Sequence, residues 1–366
     1  MDIKVSVGES IQAAIDAATN NGGGRVVIQS GEHSSGTIYL KSNVELHVGR
    51  GAVIQGSSKP EDYDDFSDPG FEDVSPEGSR KCLIAAANAT NIAITGDGEI
   101  NGAGPDFYDT TAEGRFFAKP PHPRPRMVQF FNCKNVLIEG TSFIDSPGWT
   151  FWLISCEDVA IRRIKITGCQ RMINNDGIDI DGCRRVTVSD CLIRTGDDSL
   201  VLRAIRKGPD RTACCEDVTV TNCVLDSWCQ GIRVGCPSDD TIRNCTFSNI
   251  VIQGEGRGII FNNPKRYLRP GCTGYMDVNN LVFSNIVIDT KRVPIGINVE
   301  EGITLRHLGG VTFSNCRIRS DQPCKLEGAA ETIIEDVRFS QVKLNKAMEI
   351  HHAREVALDS VTITDV

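Results

Sequence analysis

The chain has 366 residues, of which 40% are hydrophobic and 24% are charged, and its formal net charge at pH 7 is −9. This composition is typical of a globular protein. The acidic charge argues against a nucleic-acid partner, which would need a basic surface, and the absence of an 18-residue apolar run argues against a membrane span. The opening MDIKVSVGES predicts no signal peptide. The compartment stays open: extracellular or periplasmic if a signal was removed, cytoplasmic otherwise.

The first predicted element is an amphipathic helix. The stretch ESIQAAIDAATNNGGG places Ile11, Ala14, Ile15 and Ala18 on one stripe, and glycines 22–24 end it. Such a helix can cover the open end of a solenoid. We therefore expect a short α-helical cap at the N-terminus.

An internal repeat follows the helix and continues to the end of the chain. Examples are CKNVLIEGTSFIDS, CEDVAIRRIKITG, CEDVTVTNCVLDS and LGGVTFSNCRIRS. Each has a short alternating strand, a polar corner and a second short strand, which is the pattern of strands with one buried face. Repeats in the twenties and thirties without helices predict a right-handed parallel β-helix, because propeller blades are longer, at about 40 residues. We expect one all-β domain over residues 1–366, with long loops at 57–81 and 104–126 leaving its wall.

The 15 cysteines recur in similar frames, such as FNCKNV, ISCEDV and SNCRI. A cysteine at a repeated position is most simply a small buried side chain. A disulfide framework is the alternative, although a chain of this length does not need one. No cysteine spacing matches a structural zinc site.

Six aspartates lie in INNDGIDIDGCRRVTVSDCLIRTGDDSLVLR, residues 173–203. Asp176 precedes the adjacent pair Asp197 and Asp198 by about one coil, so all three are expected to face one patch of the wall. Neighbouring carboxylates can divide into an acid and a base, as glycosidic-bond hydrolysis requires. Two other interpretations stay open, namely corner residues that bond backbone amides and a calcium site. Asp179, Asp181 and Asp190 are expected at corners.

The segments NNDGIDI and TGDDSLVLR resemble the paired aspartate motifs of glycoside hydrolase family 28, the polygalacturonase family of the pectin-lyase-like superfamily. The resemblance extends through RPRMVQFFNCKNVLIEGTSFIDSPGWTFWLISCEDVAI and covers most of residues 5–265. It implies a right-handed parallel β-helix and inverting hydrolysis of a pectin-type polysaccharide. By position, Asp197 matches the general acid, and Asp176 and Asp198 match the pair that activates water. Inversion would place acid and base about 6.5–9.5 Å apart.

Two further motifs of that family are altered. Gln230 stands where Gly-His-Gly would have its histidine, and Arg257 stands near the Arg-Ile-Lys position without a following lysine. These changes affect the expected substrate more than the expected reaction. An acidic sugar is predicted to be bound by arginines that replace the lysine. The candidate substrate-binding residues are Gln230, Arg203, Arg124, Arg126, Arg257, Trp149 and Trp152.

Alternatives stay open for both the ligand and the function. The tryptophans either stack on a neutral sugar or pack under loops. A β-helix polysaccharide lyase, a uronate epimerase and a non-catalytic carbohydrate-binding protein share the predicted fold. Exo or endo action depends on whether the two long loops close one end of the cleft. We expect a carbohydrate substrate, no metal, no cofactor, no nucleic acid and no membrane, and the oligomeric state is unknown.

Overall fold

A computed structural model describes residues 2–66, 79–206, 212–268 and 274–364. By packing, the chain divides into two compact units, residues 1–178 with 186–197 and residues 179–185 with 198–366. The fold is the predicted right-handed parallel β-helix with an N-terminal helix. The expectation of a single domain stays a prediction. No helix in the described ranges is both long and apolar enough to span a membrane.

The first unit is built on short strands that pair in parallel from coil to coil. Strands β16 and β17 are shared between the two sets of residues. In chain order the elements are β1 (Asp2–Val5), α1 (Ile11–Asn20), β2 (Gly24–Ile28), β3 (Gly31–Ser35), β4 (Ile38–Tyr39), β5 (Val44–Val48), β6 (Ala52–Gly56), β7 (Cys82–Ala87), β8 (Thr90–Thr95), β9 (Glu99–Asn101), β10 (Arg126–Phe131), β11 (Lys134–Glu139), β12 (Ser142–Ile144), β13 (Phe151–Ile154), β14 (Glu157–Arg162), β15 (Lys165–Thr167), β16 (Ile178–Asp181), β17 (Arg184–Ser189) and β18 (Leu192–Thr195).

These strands form three parallel ladders. One runs β1–β2–β5–β8–β11–β14, the second β3–β6–β9–β12–β15–β18, and the third β4–β7–β10–β13. The register places Leu46, Ile94, Ile138 and Ile161 in one stacked row, and all four are buried. Burying each such side chain stabilises the fold by roughly 1.5–3 kcal/mol.

Helix α1 has the predicted stripe. Its buried residues are Ile11, Ala14, Ile15 and Ala18. Ser10 caps the helix by accepting a hydrogen bond from the amide of Ala13 at 3.2 Å, which satisfies one of the unpaired amides of the first turn. The helix packs on β1, β2, β4 and β5 and so covers the first coil.

The second unit continues the same construction. Its strands are β19 (Leu200–Arg203), β20 (Cys215–Ser227), β21 (Gln230–Gly235), β22 (Thr241–Gly254), β23 (Arg257–Asn262), β24 (Asp277–Thr290), β25 (Ile295–Asn298), β26 (His307–Ser314), β27 (Arg317–Ser320), β28 (Lys325–Glu327), β29 (Ile334–Ser340), β30 (Lys343–Leu344), β31 (Glu349–His351), β32 (Ala353–Asp359) and β33 (Thr362–Ile363). The ladder that carries the candidate cleft is β19–β21–β23–β25–β28–β31. The other ladder pairs β20, β22 and β24 and then continues through β26 and β27.

A stack of aromatic rings fills the core of this unit. Phe247, Phe283, Phe313 and Phe339 are fully buried, and successive ring centroids are 4.5, 5.1 and 4.9 Å apart. Equivalent positions on neighbouring coils bring identical rings into offset contact, which adds to the stabilisation from buried area. The repeat therefore fixes the core position by position.

Asparagines form the predicted polar corners in both units. Asn91 and Asn135 have positive φ angles of 58° and 52°, a conformation that asparagine tolerates better than most residues. The side-chain nitrogen of Asn135 donates to Asn91 Oδ1 at 2.8 Å, so each corner bonds to the corner of the coil before it.

The cysteine prediction is confirmed for the described residues. None of the 14 cysteines there forms a disulfide bond, and 11 of them are buried; Cys272 lies outside the described ranges. A recurring contact satisfies the thiol, as when Cys133 Sγ faces the carbonyl of Phe131 at 3.4 Å and Cys156 Sγ faces that of Ile154 at 3.4 Å.

Both predicted loop regions interrupt the ladders. Between β6 and β7 the described residues 57–66 and 79–81 contain one short 3-10 helix, Pro60–Asp62, and residues 67–78 of the predicted loop lie outside the described ranges. Between β9 and β10 the regular element is a 3-10 helix at Gly104–Phe107.

Candidate active site

The acidic segment contributes to both units. Asp176 and Asp197 belong to the first unit, and Asp198, the next residue in the chain, belongs to the second. Two asparagines hold the backbone around Asp197. Asn175 Oδ1 accepts hydrogen bonds from the amides of Gly196 at 2.9 Å and Asp197 at 3.0 Å, and the amide of Asn174 donates to Asp197 Oδ2 at 2.9 Å. The Asp197 side chain is half-buried, so its carboxylate is oriented and still accessible.

The glycine before the aspartate pair has a packing reason. A Cβ at Gly196 would lie 2.2 Å from the carbonyl oxygen of Met172 and 2.7 Å from that of Gln170. No side chain fits at those separations, so the Asp197 backbone approaches the 170–175 segment because residue 196 is glycine.

Tyr108 and Arg124 hold the segment that leads to Asp176. The Tyr108 hydroxyl donates to the carbonyl of Ile173 at 2.6 Å. Arg124 donates to the same carbonyl at 2.9 Å and to Asn174 Oδ1 at 2.9 Å. Burial raises the pKa of Tyr108 to about 12, Arg124 opposes the rise, and the charges of Asp197 and Asp176 add to it. The hydroxyl therefore stays a donor at neutral pH.

The predicted substrate-binding residues Arg124 and Arg126 both line the small cavity described below, and their contact with substrate stays a prediction. Both side chains are buried, with exposed fractions of 5% and 2%. The Arg124 guanidinium donates hydrogen bonds to protein groups, including the Tyr108 hydroxyl and the carbonyl of Pro147. Arg126 donates to the carbonyl of Ser79 at 2.8 Å. These contacts brace the surrounding loops.

The two tryptophans form a packed pair with Arg126. Trp152 is 0% exposed, and its ring centroid lies 4.6 Å from the Arg126 guanidinium carbon. Trp149 meets Trp152 edge to face, with centroids 5.5 Å apart. Trp152 therefore has no free face for a sugar, which corrects that expectation. Trp149 is also buried, although it lines a small cavity.

That cavity lies in the first unit and has a volume of about 150 Å³. Its wall is the proline-rich loop between β9 and β10. Lining residues include Lys119, His122, Trp149 and Asn174. The His122 ring stacks on Phe107 with centroids 6.1 Å apart. Because Asn174 also binds Asp197, the cavity adjoins the acidic motif.

In the second unit Asp198 is held by two side chains. It is 1% exposed, and Arg233 Nη1 donates to its Oδ2 at 3.0 Å. When the amide of Gln230 is oriented to satisfy its neighbours, its nitrogen donates to Asp198 Oδ1 at 2.9 Å and to the Cys229 carbonyl at 3.1 Å. The glutamine that replaces the expected histidine thus contacts the acidic motif directly.

Gln230 and Arg233 also begin a cleft of about 290 Å³ along β21, β23, β25 and β28. The residues that line it are Gln230, Arg233, Arg257, Ile260, Asn262, Pro264, Arg266, Val293, Gly296, Asn298, Glu300, Lys325 and Glu327. Burial lowers the pKa of Arg257, and the charges of Arg292 and Arg233 lower it further. Among the described residues, none forms an ion pair or hydrogen bond with the Arg257 guanidinium, so an anionic ligand would be favourable there.

Arg203 forms a buried ion pair with Asp179. It is 4% exposed, and its Nε and Nη2 both lie 2.8 Å from Asp179 Oδ1. A further donor bonds to the carbonyl of Cys236. The expected corner position of Asp179 is wrong, because Asp179 lies within strand β16, and the substrate contact expected of Arg203 stays a prediction. Asp181 does bind a backbone amide, that of Ile205 at 2.9 Å.

Several residues of the site were not predicted as functional. Asn174 and Asn175 position Asp197. The sequence could have identified them, because they directly precede Asp176 in INND. Asn262 accepts from Arg233 Nε at 3.0 Å and lines the cleft, with no sequence signal beyond its place in a strand. Tyr108 lies in an irregular loop, where no pattern marks it.

Comparisons with known proteins identify the family of the chain. The model of the family described as Glycosyl hydrolases family 28 matches residues 25–346. An endo-polygalacturonase of Pectobacterium carotovorum subsp. carotovorum is 24% identical over 267 residues, 69% of this chain and 64% of the relative. A polygalacturonase of Persea americana is 29% identical over 126 residues, 34% of this chain and 27% of the relative. The chain thus spans less than two thirds of these curated relatives.

A solved structure supports the fold independently. The hyperthermoactive exopolygalacturonase from Thermotoga maritima superposes with a TM-score of 0.81 and 24% identity, covering 100% of this chain and 92% of that chain. At this identity the likeness concerns the fold.

Proposed function

We propose that this chain, which belongs to glycosyl hydrolases family 28, is an inverting glycoside hydrolase that cleaves a pectin-type polysaccharide next to an acidic sugar. One observation carries the proposal. Asp198 is buried between Gln230 and Arg233, and the same two residues begin a cleft that Arg257 lines. Within the described part of the chain, no residue pairs with the Arg257 guanidinium. The Asp198 carboxylate therefore lies next to a cleft whose arginines could bind an anionic sugar.

The roles of the aspartates follow the family motif and the local contacts. Asp197 serves as general acid, and its half-buried carboxylate is supported by neutral backbone donors. Asp198 and Asp176 activate the water. The Asp198 carboxylate is the partner of the Arg233 guanidinium, a contact that protonation would weaken, so it suits the base. Gln230 can orient a sugar hydroxyl but cannot carry a proton.

The substrate class is supported by Arg257 and Arg266. Arg257 is half-buried and Arg266 is exposed, and both line the cleft. Guanidinium groups bind carboxylates through paired hydrogen bonds. The relatives named above are polygalacturonases, which agrees with a uronate polymer as the substrate.

Three variants test the catalytic assignment. Asp176→Asn, Asp197→Asn and Asp198→Asn are each expected to lower kcat on the true substrate by about 10²–10⁴-fold, the usual contribution of general acid–base catalysis. The matched control is Asp190→Asn, because Asp190 is an exposed corner residue of the same segment. Near-normal turnover in any two of the three variants would overturn the assignment.

Product stereochemistry tests the inverting mechanism separately. Proton NMR of the first-formed sugar is expected to give the anomer opposite to that of the cleaved bond, because the base activates water and no residue attacks the sugar. A retained anomer or a trapped glycosyl-enzyme would refute inversion.

A further inference from the structure

Arg171 holds the middle of the long loop between β9 and β10. Residues 102–125 join these two strands, and their regular element is the 3-10 helix Gly104–Phe107. Arg171 Nη2 donates to the carbonyl of Ala112 at 2.5 Å and to that of Gly114 at 3.0 Å. A loop outside the ladders depends on contacts of this kind, because no pairing from coil to coil fixes its backbone.

Phe117 of the same loop contacts Arg171 in two further ways. The Arg171 guanidinium carbon lies 4.3 Å from the centroid of the Phe117 ring. The amide of Phe117 donates to the carbonyl of Arg171 at 2.8 Å. Phe117 is buried, and an attraction between a cation and an aromatic ring is stronger where water is excluded. The side chain and the backbone of Arg171 therefore both bind the loop.

The chain around Arg171 also orients the acidic motif. Arg171 lies between Gln170 and Met172, and the carbonyl oxygens of these two neighbours pack closely against Gly196. Gly196 directly precedes Asp197. The two asparagines that bond to the Asp197 carboxylate and backbone follow in the same segment, residues 170–175. Any movement of this segment therefore moves the groups that orient Asp197.

The loop holds the same segment at a second place. Tyr108 and Arg124, which lie near its two ends, both donate to the carbonyl of Ile173. The rings of Tyr108 and Phe117 connect the two places, with centroids 6.2 Å apart. The loop and residues 170–175 thus form one packed unit beside Asp197, in which Arg171 supplies the charged contact at the middle of the loop.

We propose that Arg171 is a positioning residue for the general acid, because it fixes the loop against residues 170–175 and so holds the Asp197 carboxylate where it can protonate the leaving sugar. The inference rests on the proposed function, which assigns Asp197 as the acid. Arg171 acts through Asp197 and does not touch the reacting atoms. A displacement of a catalytic group by about 1 Å can cost about 10²-fold in rate.

The experiment uses two substrates that differ in their need for an acid. A sugar leaving from oligogalacturonate must be protonated, whereas nitrophenol leaves from a nitrophenyl oligogalacturonide as a stable anion and gains little from an acid. Arg171→Met is expected to lower kcat/KM on oligogalacturonate by about 10–100-fold and to affect nitrophenol release far less. Arg171→Lys keeps a charged donor and should recover part of the loss.

Two further variants make the result specific. Arg162→Met is the matched control, because Arg162 is an exposed arginine of β14 that donates to Glu139 at 3.0 Å on the outer wall; it should leave both activities unchanged. Phe117→Leu weakens the same contact from the loop side and should give the same dependence on the leaving group, even where Arg171→Met fails to fold. The double variant should be little worse than either single one, because the two residues act through one contact.

Equal losses on the two substrates would indicate general damage to the fold and overturn the inference, as would unchanged rates on both. Asp197→Asn separates the inference from the proposed function. If Asp197→Asn depends on the leaving group and the Arg171 and Phe117 variants do not, only the positioning role falls. If Asp197→Asn slows both substrates equally, the acid assignment is overturned, and the positioning role falls with it.

Discussion

Two arginines of the first unit, Arg124 and Arg126, are buried, whereas two of the second unit, Arg257 and Arg266, line an open cleft. Arg124 and Arg126 donate to backbone carbonyls and cover aromatic rings. In the second unit Arg233 binds a carboxylate, and Arg257 lines the cleft without a protein partner among the described residues. All of these arginines are near the acidic motif in sequence or in space. An arginine whose N–H groups already bond to protein acceptors stabilises the fold, whereas an arginine whose N–H groups face a cleft can bind a ligand.

The acidic motif is held differently in the two units as well. Asp197 is oriented by a backbone amide and by the asparagines of INND. Asp198 is oriented by a guanidinium and a side-chain amide. Two adjacent aspartates can therefore have unlike environments.

The largest expected effect is a loss of stability when the aromatic packing of the first unit is disrupted. Trp152→Ala should lower the free energy of unfolding by about 3–5 kcal/mol, because it leaves a large cavity beneath Arg126 and Trp149. Urea denaturation measures the loss. If Trp152 stacked on substrate instead, the variant would keep its stability and lose only sugar affinity, which would contradict its placement in the core.

Next in size is the loss of the Arg124 brace. Arg124→Met removes the hydrogen bonds to Ile173 and Asn174 while keeping much of the side-chain volume. We expect the free energy of unfolding to fall by about 3 kcal/mol, since the lost donor was charged and buried. Activity should fall equally on an acidic oligosaccharide and on its carboxyl-reduced analogue. A selective loss on the acidic substrate would instead assign Arg124 to the ligand.

The matching change in the second unit should behave in the opposite way. Arg257→Met should leave the free energy of unfolding nearly unchanged and lower kcat/KM on the acidic oligosaccharide by about 10–100-fold, because a hydrogen bond to a charged group contributes about 1.5–3 kcal/mol. The carboxyl-reduced analogue should be affected far less. Arg257→Lys keeps the charge and should recover part of the loss. Equal losses on both substrates would remove the distinction between the two sets of arginines.

Features with a local or repeating cause could be predicted from the sequence. The α1 stripe depends on residues within ten positions of each other, and buried thiols recur at similar positions in several of the repeats. The coil repeat predicts the ladder because each coil buries the same positions against the next. The acidic motif could be found for a related reason, since glycines and asparagines around it have fixed local contacts.

The substrate-binding residues were harder to predict because their exposure depends on distant partners. Arg203 is engaged by Asp179, 24 residues before it. Arg126 covers Trp152 from another coil, and Arg124 bonds to Asn174 across 50 residues. The alternating pattern of a strand shows which side chains face outward, but it does not show which of them are covered by another segment. Arg257 and Gln230 are register partners on neighbouring strands, and both line the cleft.

The smallest expected effect concerns the corner asparagines, where the two units should behave alike. Asn285 has a φ angle of 55°, donates to Asn249 Oδ1 at 3.1 Å and accepts from Asn315 at 2.7 Å. Asn135 in the first unit has a φ angle of 52° and donates to Asn91. Alanine is strained in this conformation by about 1–2 kcal/mol, whereas glycine adopts it without strain.

We therefore expect Asn285→Ala and Asn135→Ala to lower the free energy of unfolding by about 1–2 kcal/mol each, and the two glycine variants to lower it by less. Urea denaturation of the four variants measures both comparisons, and activity should not change, since neither asparagine lines a cavity described above. Equal losses for alanine and glycine would assign the role to the side-chain ladder instead of the backbone. A large loss of unfolding free energy in one unit only would show that the corner asparagines, like the arginines, have different roles in the two units.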